Sequence, residues 1–267
     1  MSVLIAIPAR YASLRYPGKP LVMLRGPDGV AKSLIQRSWD CARAVSGIDR
    51  VVVATDDDRI ADAARAFGAE VVMTAESCAN GTERCADVLA RLGTAPEIIV
   101  NLQGDAPLTP AWFVEDLVAG LRDDPGADVA TPVLRCDGRA LSGFLQDRRE
   151  GRVGGTTAVF DQAMRALYFS KEVIPFTSAS YADDAPTPVF HHVGVYAYRP
   201  EALMRYPDLI PGPLEGLEGL EQLRFMENGL TVKCVEVEAR GRSFWELNNP
   251  KDVERIETML AQQKNAP

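Results

Sequence analysis

Val3-Leu4-Ile5-Ala6-Ile7-Pro8 runs directly into Ala9-Arg10-Tyr11-Ala12-Ser13-Leu14-Arg15-Tyr16-Pro17-Gly18-Lys19-Pro20. The first part is an apolar run of strand length. The second is a small-residue loop with three spaced cations. An α/β protein presents N–H groups and positive charge to a polyphosphate in this way, at the carboxyl edge of its sheet. Residues 1–27 hold Arg10, Arg15, Lys19 and Arg25 and no acid, although the chain has a net charge of -8 and about four acids are expected there from composition. The loop reads as a triphosphate grip; an ordinary solvated loop is the alternative.

Outward from this segment, apolar runs suited to buried parallel strands recur at 50–55, 69–73, 98–102 and 128–132, separated by segments of helical periodicity. That alternation predicts a doubly wound, mostly parallel α/β sheet. Asp57 or Asp58 is placed to cap one helix, Asn80 with Glu83 forms a capping-box pattern for the next, and Pro110 suits a first helical turn. Beyond about residue 135 the pattern loosens, with strands expected at 157–160, 167–169 and 191–198. This stretch, about 136–200, reads as a β-rich insertion within a single domain of 1–267. A helix near 217–228, a strand at 231–237 and a final helix over 250–262 complete the expectation.

With 267 residues, 46% of them hydrophobic, the chain can bury a sizeable core. An excess of 37 acids over 29 Lys plus Arg argues against a nucleic-acid partner, which needs a broad basic face. The five cysteines are an odd number with no C-x-x-C pair, so neither a disulfide framework nor a zinc ribbon is expected. Pro8 breaks the first apolar run, and no later run is long enough to span a bilayer, so membrane insertion is not expected and the location reads as cytoplasmic.

Gly26-Pro27-Asp28-Gly29-Val30-Ala31-Lys32-Ser33 has phosphate-loop spacing but carries Ala31 where that motif requires glycine, so it reads as a loop leading to Ser33 as a helix cap. No G-x-G-x-x-G occurs, which disfavours a dinucleotide-binding dehydrogenase. Asn101-Leu102-Gln103-Gly104-Asp105-Ala106-Pro107 follows a strongly apolar strand, which places Asp105 on the same carboxyl edge as the Arg10 loop. A carboxylate beside a polyphosphate is repelled by about 4 kcal/mol per charge pair at 4 Å and an effective dielectric of 20, unless a divalent cation lies between them. Asp105 is therefore a candidate Mg²⁺ ligand; the alternative is a cap for the next turn. Asn80-Gly81-Thr82-Glu83-Arg84 opens a helix and is a weaker candidate for a nucleotide contact. In a strand over 191–198, His192, Gly194 and Tyr196 would share one face, either as a substrate wall or with His192 as a structural histidine. Glu221 and Gln222 are equally readable as the solvated face of their helix.

The segments "IPARYASLRYPGKPL", "NGTER", "VNLQGDAPL", "ALYFSKEVIPF", "HHVGVYAYR" and "GLEQLRFMENG" together resemble the CMP-KDO synthetases, the 3-deoxy-manno-octulosonate (KDO) cytidylyltransferases. The resemblance implies a nucleotide-diphospho-sugar transferase-like fold. It also implies attack by the anomeric hydroxyl of a KDO-like sugar acid on the α-phosphate of CTP with Mg²⁺, and a homodimer to whose interface the insertion contributes. It puts Ala9, Arg10, Arg15, Lys19, Gly81, Thr82 and Arg84 around the nucleotide, with Arg10, Lys19 and Asp105 as the catalytic set. Gln103, Lys171, His192, Tyr196, Glu221 and Gln222 would line the acceptor pocket.

Three departures from the family pattern stand out. Where the family reads "VDTPEDL", this chain reads Leu247-Asn248-Asn249-Pro250-Lys251-Asp252-Val253, so an amide replaces a metal carboxylate; Glu246, two residues earlier, is the candidate to restore the charge. The family's "FSR" is Phe169-Ser170-Lys171 here, and a Lys of its "VKVV" strand falls on Thr157. These changes leave open another acceptor, such as 8-amino-KDO, another ulosonic acid or a different anionic nucleophile, as well as a catalytically silent CTP-binding paralogue. A nucleotidyltransferase for sugar 1-phosphates is the remaining alternative.

Overall fold

Every side chain of Val3–Ala9 is buried, as a strand covered on both faces requires. The computed structural model describes residues 2–13, 15–93, 96–153, 155–242 and 245–263. In chain order the elements are β1 (Val3–Ala9), β2 (Met23–Arg25), β3 (Ala31–Ser33), α1 (Leu34–Arg43), β4 (Arg50–Thr55), α2 (Asp58–Ala66), β5 (Glu70–Met73), α3 (Gly81–Leu92), β6 (Ile98–Leu102) and α4 (Ala111–Asp123). They continue as β7 (Val129–Asp137), α5 (Gly138–Arg149), β8 (Thr156–Phe160), β9 (Ala166–Ser170), β10 (Pro186–His192), β11 (Val195–Tyr198), α6 (Pro200–Arg205), α7 (Pro213–Glu218), α8 (Leu223–Glu227), β12 (Val232–Glu236) and α9 (Asp252–Gln263). The fold is the α/β class expected from the sequence. Two compact units are present: Met1–Glu115 with Arg199–Pro207 and Ala239–Pro267, and Asp116–Tyr198 with Asp208–Glu238.

In the first unit the strands lie parallel in the order β5-β4-β1-β6. After β1 the chain builds β4 and β5 on one side, then returns to add β6 on the other. The crevice at the carboxyl ends of β1 and β6 is therefore a topological switch point, where open α/β sheets bind ligands. The helices are punctuated as the sequence indicates: Asp57 Oδ1 accepts from Arg59 N at 3.0 Å, and Asn80 Oδ1 accepts from Glu83 N at 2.8 Å. Glu83 completes its capping box by accepting from Ala79 N at 2.8 Å.

The phosphate-loop look-alike folds as the β2–β3 hairpin, in which Lys32 pairs with Asp40 at 2.6 Å and Ser33 caps α1. Leu24, Leu34, Leu108, Leu247, Ile256 and Leu260 form a buried cluster that ties this hairpin, α1 and α9 together. Burial of each such leucine contributes about 1.5–3 kcal/mol, and the cluster fixes where Leu247 and its neighbours lie.

In the second unit β7 is central. β10 and β11 pair antiparallel along one side of it, one after the other, β8 and β9 follow β10, and β12 runs parallel along its other side. Two sequence expectations need correction here. The strand expected over 191–198 is two strands, interrupted at Val193–Gly194, where two extra residues bulge out of the ladder and the register on β7 shifts from His192↔Val133 to Ala197↔Ala130. The helix expected near 217–228 is split into α7 and α8 by Gly219, whose φ of 61° is left-handed and ends α7. Among the described residues, no helix is long and apolar enough to cross a membrane.

Candidate active site

Strand β6 ends at Leu102 and turns through Gly104, which packs so closely on β1 that a Cβ there would lie 2.7 Å from the Pro8 carbonyl oxygen. Only glycine permits this approach, and it delivers Asp105 to the switch-point crevice. From β1 the chain passes Ala9, which is buried, and Arg10, which is exposed. It then turns at Gly18, with φ of 71° and its N–H donating to Tyr11 O at 2.9 Å, to present Lys19. Lys19 Nζ pairs with the Asp105 carboxylate and donates to Leu247 O at 3.1 Å. Leu247 N returns a bond to Asp105 O at 2.9 Å.

The segment before α9 thus enters the same site. Arg15 Nη2 donates to Asn248 Oδ1 at 2.8 Å, and Asn248 Nδ2 lies 3.5 Å from Glu246 Oε2. Glu246 is an exposed residue, yet the protein mass around its carboxyl and the charge of Asp105 hold it above the usual carboxylate range, opposed by Asn248, Lys19 and Arg15. Asp252 anchors this segment from behind. It accepts from Asn248 N at 3.0 Å, Asn249 N at 2.6 Å and Trp245 Nε1 at 3.1 Å. Burial alone would raise the Asp252 carboxyl, but these donors hold it below its ordinary value. The pair Lys19 and Asp105, foreseen on one edge, is in direct contact; Leu247 and Asp252, which hold the arrangement, were not singled out in the sequence.

Asp105, Glu246 and the amide oxygen of Asn248 offer hard oxygen donors, a set that suits Mg²⁺ shared with phosphates. Among the described residues no group of three or more His, Cys, Asp or Glu side chains is arranged to hold a metal by itself.

Gly81 and Thr82 open α3 at the carboxyl edge. A Cβ on Gly81 would fall 2.9 Å from Gln103 Nε2, so the bare backbone makes room for Gln103. Arg84 is 3% exposed, with its guanidinium bonded to Thr74 Oγ1 and to Asp56 Oδ2, the latter at 3.3 Å. It lies inside the edge, joining the loops that follow β4 and β5.

The second unit gathers the remaining candidates. His192 is 6% exposed, and its Nε2 lies 2.9 Å from Thr131 Oγ1. Its ring packs against Phe169 at 4.9 Å and Tyr196 at 5.7 Å between centroids. Tyr196 OH donates to Gln222 Oε1 at 3.1 Å. Glu221 is half-buried and its carbonyl accepts from Arg224 N at 3.3 Å. Lys171 is half-buried; its N–H donates to Glu218 Oε2 at 2.9 Å, and a Cβ on Gly219 would meet Lys171 Nζ at 3.1 Å. Thr157 is buried and fastens a turn: its hydroxyl donates to Glu172 O at 2.6 Å and accepts from Ile174 N at 3.1 Å.

Burial, and then the neighbouring His191, push His192 down to about 3. The unfolded chain protonates near 6.5 while the folded chain does not, so stability is lost as pH falls below about 6.5. At pH 5 this costs about 2 kcal/mol for His192. Urea melts at pH 7.5 and 5.0 are expected to show this loss in the parent chain and a smaller one in His192→Asn; equal losses would contradict the assignment.

A cytidylyltransferase family model matches residues 4–236. The 3-deoxy-manno-octulosonate cytidylyltransferase of Maricaulis maris (strain MCS10) is 46% identical over 261 residues, covering 98% of each chain. That of Chlamydia pneumoniae is 41% identical over 260 residues, covering 97% of this chain and 94% of its own. A solved structure of CMP:2-keto-3-deoxy-manno-octonic acid synthetase complexed with CTP superposes with a TM-score of 0.83 at 34% identity, covering 98% of this chain and 100% of that one. With its switch-point crevice and that full-length similarity, the chain belongs to the 3-deoxy-manno-octulosonate cytidylyltransferase family of nucleotidyltransferases.

Proposed function

We propose that this enzyme transfers CMP from CTP to the anomeric hydroxyl of KDO or a close analogue, giving a CMP-activated sugar for lipopolysaccharide or capsule synthesis. The anomeric oxygen forms a bond to the α-phosphorus, the bond from that phosphorus to the bridging oxygen breaks, pyrophosphate leaves, and the hydroxyl proton is released. The convergence of Lys19 and Asp105 between the ends of β1 and β6 carries this reading. Arg10, Arg15 and Lys19 bind and orient the triphosphate; Ala9, Gly81, Thr82 and Arg84 shape the nucleotide side. Gln103, Lys171, His192, Tyr196, Glu221 and Gln222 serve the sugar acid. Such a displacement needs alignment and charge neutralisation rather than a covalent intermediate.

Asp105, Glu246 and Asn248 would hold Mg²⁺, which when bound supplies neutralisation of phosphate charge. Lys19 and Arg15, which now rest on Asp105 and Asn248, are the cations available to follow the phosphates. The segment at about 136–200 is assigned to a homodimer contact, supported by the exposure of Leu167 (61%) and Phe176 (89%). A cytoplasmic location is supported by five free thiols.

The test is CTP-dependent pyrophosphate release with KDO, 8-amino-KDO and sialic acid as rival acceptors, and with UTP and GTP replacing CTP. KDO with CTP is expected to be turned over best. Preference for another acceptor would move the assignment to that acid, and CTP binding without release across the panel would replace it with a silent paralogue. In the same assay, an unchanged Mg²⁺ dependence in Glu246→Ala would remove Glu246 from the metal set.

A further inference from the structure

Thr131 lies on β7 opposite the bulge between β10 and β11. Its hydroxyl oxygen is 2.9 Å from Val195 O, 3.3 Å from Val193 O and 2.9 Å from His192 Nε2. A hydroxyl has one hydrogen, and backbone carbonyls can only accept. The hydrogen is therefore committed to the bulge, most directly to Val195 O, and the oxygen turns a lone pair toward the imidazole. His192 Nε2 must then carry the ring's proton, which leaves Nδ1 as an acceptor.

The neighbouring amide is oriented with the opposite polarity. Gln222 is 1% exposed, its Oε1 takes the Tyr196 hydroxyl, and its Nε2 is buried without a hydrogen-bond partner among the described residues. A buried donor left open in this way is a place where a ligand oxygen gains a bond that the protein does not supply. The Tyr196 ring, 5.7 Å from His192, joins the two groups into one buried polar line.

We propose that Thr131 is a positioning residue that holds His192 as the Nε2–H tautomer, so that Nδ1 receives a hydroxyl of the acceptor while Gln222 Nε2 donates to one of its oxygens. This rests on the acceptor reading above, and it adds a requirement to that reading. The acceptor must bring a hydroxyl donor to His192, and a carboxylate or phosphate oxygen placed there would be rejected. The requirement arises from a strand residue of ordinary appearance that belongs to none of the motifs.

Histidine-selective ¹⁵N labelling reads the tautomer directly, because His191 and His192 are the only histidines. A His191→Asn variant assigns the signals. The parent chain and Thr131→Ser are expected to show His192 protonated at Nε2 alone; Thr131→Val is expected to show protonation shifting to Nδ1. The same valine variant is expected to raise KM for KDO about tenfold, the loss of one hydrogen bond, with KM for CTP unchanged and with rescue by Thr131→Ser. A parent spectrum with the proton on Nδ1, or a valine variant with unaltered tautomer and unaltered KM for KDO, would overturn the proposal. If the valine variant does not fold, the parent spectrum alone decides. Failure of KDO turnover would sink the functional reading, whereas a wrong tautomer would sink this one.

Discussion

Asp105→Asn is expected to lower kcat/KM for CTP and KDO by about three orders of magnitude, equivalent to about 4 kcal/mol of transition-state stabilisation. The substitution preserves shape and removes one negative charge from the crevice between β1 and β6. That charge is paired with Lys19, whose side chain is 14% exposed. With CTP bound, the same charge is what would attract a divalent cation to phosphates that otherwise repel a carboxylate. Neutralising it removes both functions. The backbone bond from Leu247 N to Asp105 O does not depend on the side chain, so the fold is expected to survive with a small fall in Tm. Pyrophosphate release measured over a Mg²⁺ titration checks this, and turnover within tenfold of the parent enzyme would remove Asp105 from the catalytic set.

Lys19→Met is expected to reduce kcat/KM by a factor of about a hundred to a thousand, as removal of one preorganised charge donor does elsewhere. Methionine keeps the length and apolar contacts of the stem but cannot neutralise phosphate, and it gives up the bond to Leu247 O. Because Lys19 and Asp105 touch, their substitutions should not add. In the double variant the loss is expected to fall short of the product of the single losses, since each single change also strands the partner's charge. Strict multiplicativity in a double-mutant cycle would mean that the contact plays no part in organising the site.

The parallel strands were legible because residues buried on both faces leave near-continuous apolar runs, as in 51–54 and 98–100. The caps at Asp57 and Asn80 were legible because their chemistry is local. Asp105 could be placed on the correct edge because a loop that follows a parallel strand emerges at the carboxyl end by necessity. What could not be read depends on where the chain goes next. The break at Val193–Gly194 is a bulge set by the register of this stretch against β7, some sixty residues away, and the sequence of 191–198 carries no mark of it. Gly219 was visible, but one glycine inside a leucine-spaced segment does not announce a left-handed φ. The burial of Arg84 against Thr74 and Asp56 follows from three separated segments meeting, and no window of sequence contains all three. Thr131 was not legible for the same reason: its partners lie more than sixty residues away, and threonine in a strand calls for no explanation.

The contacts of Leu247 have a practical consequence for the integrity of the enzyme. All the strands are in place by Glu236, yet the carbonyl that receives Lys19 and the amide that receives Arg15 arrive only afterwards, beyond the exposed turn at Arg240 and Gly241. A protease that nicked that turn would leave a particle with every ladder closed and a normal circular dichroism spectrum. Its activity would then hinge on whether the severed tail stayed docked through its leucines, so dilution or mild detergent would silence it while the body remained folded.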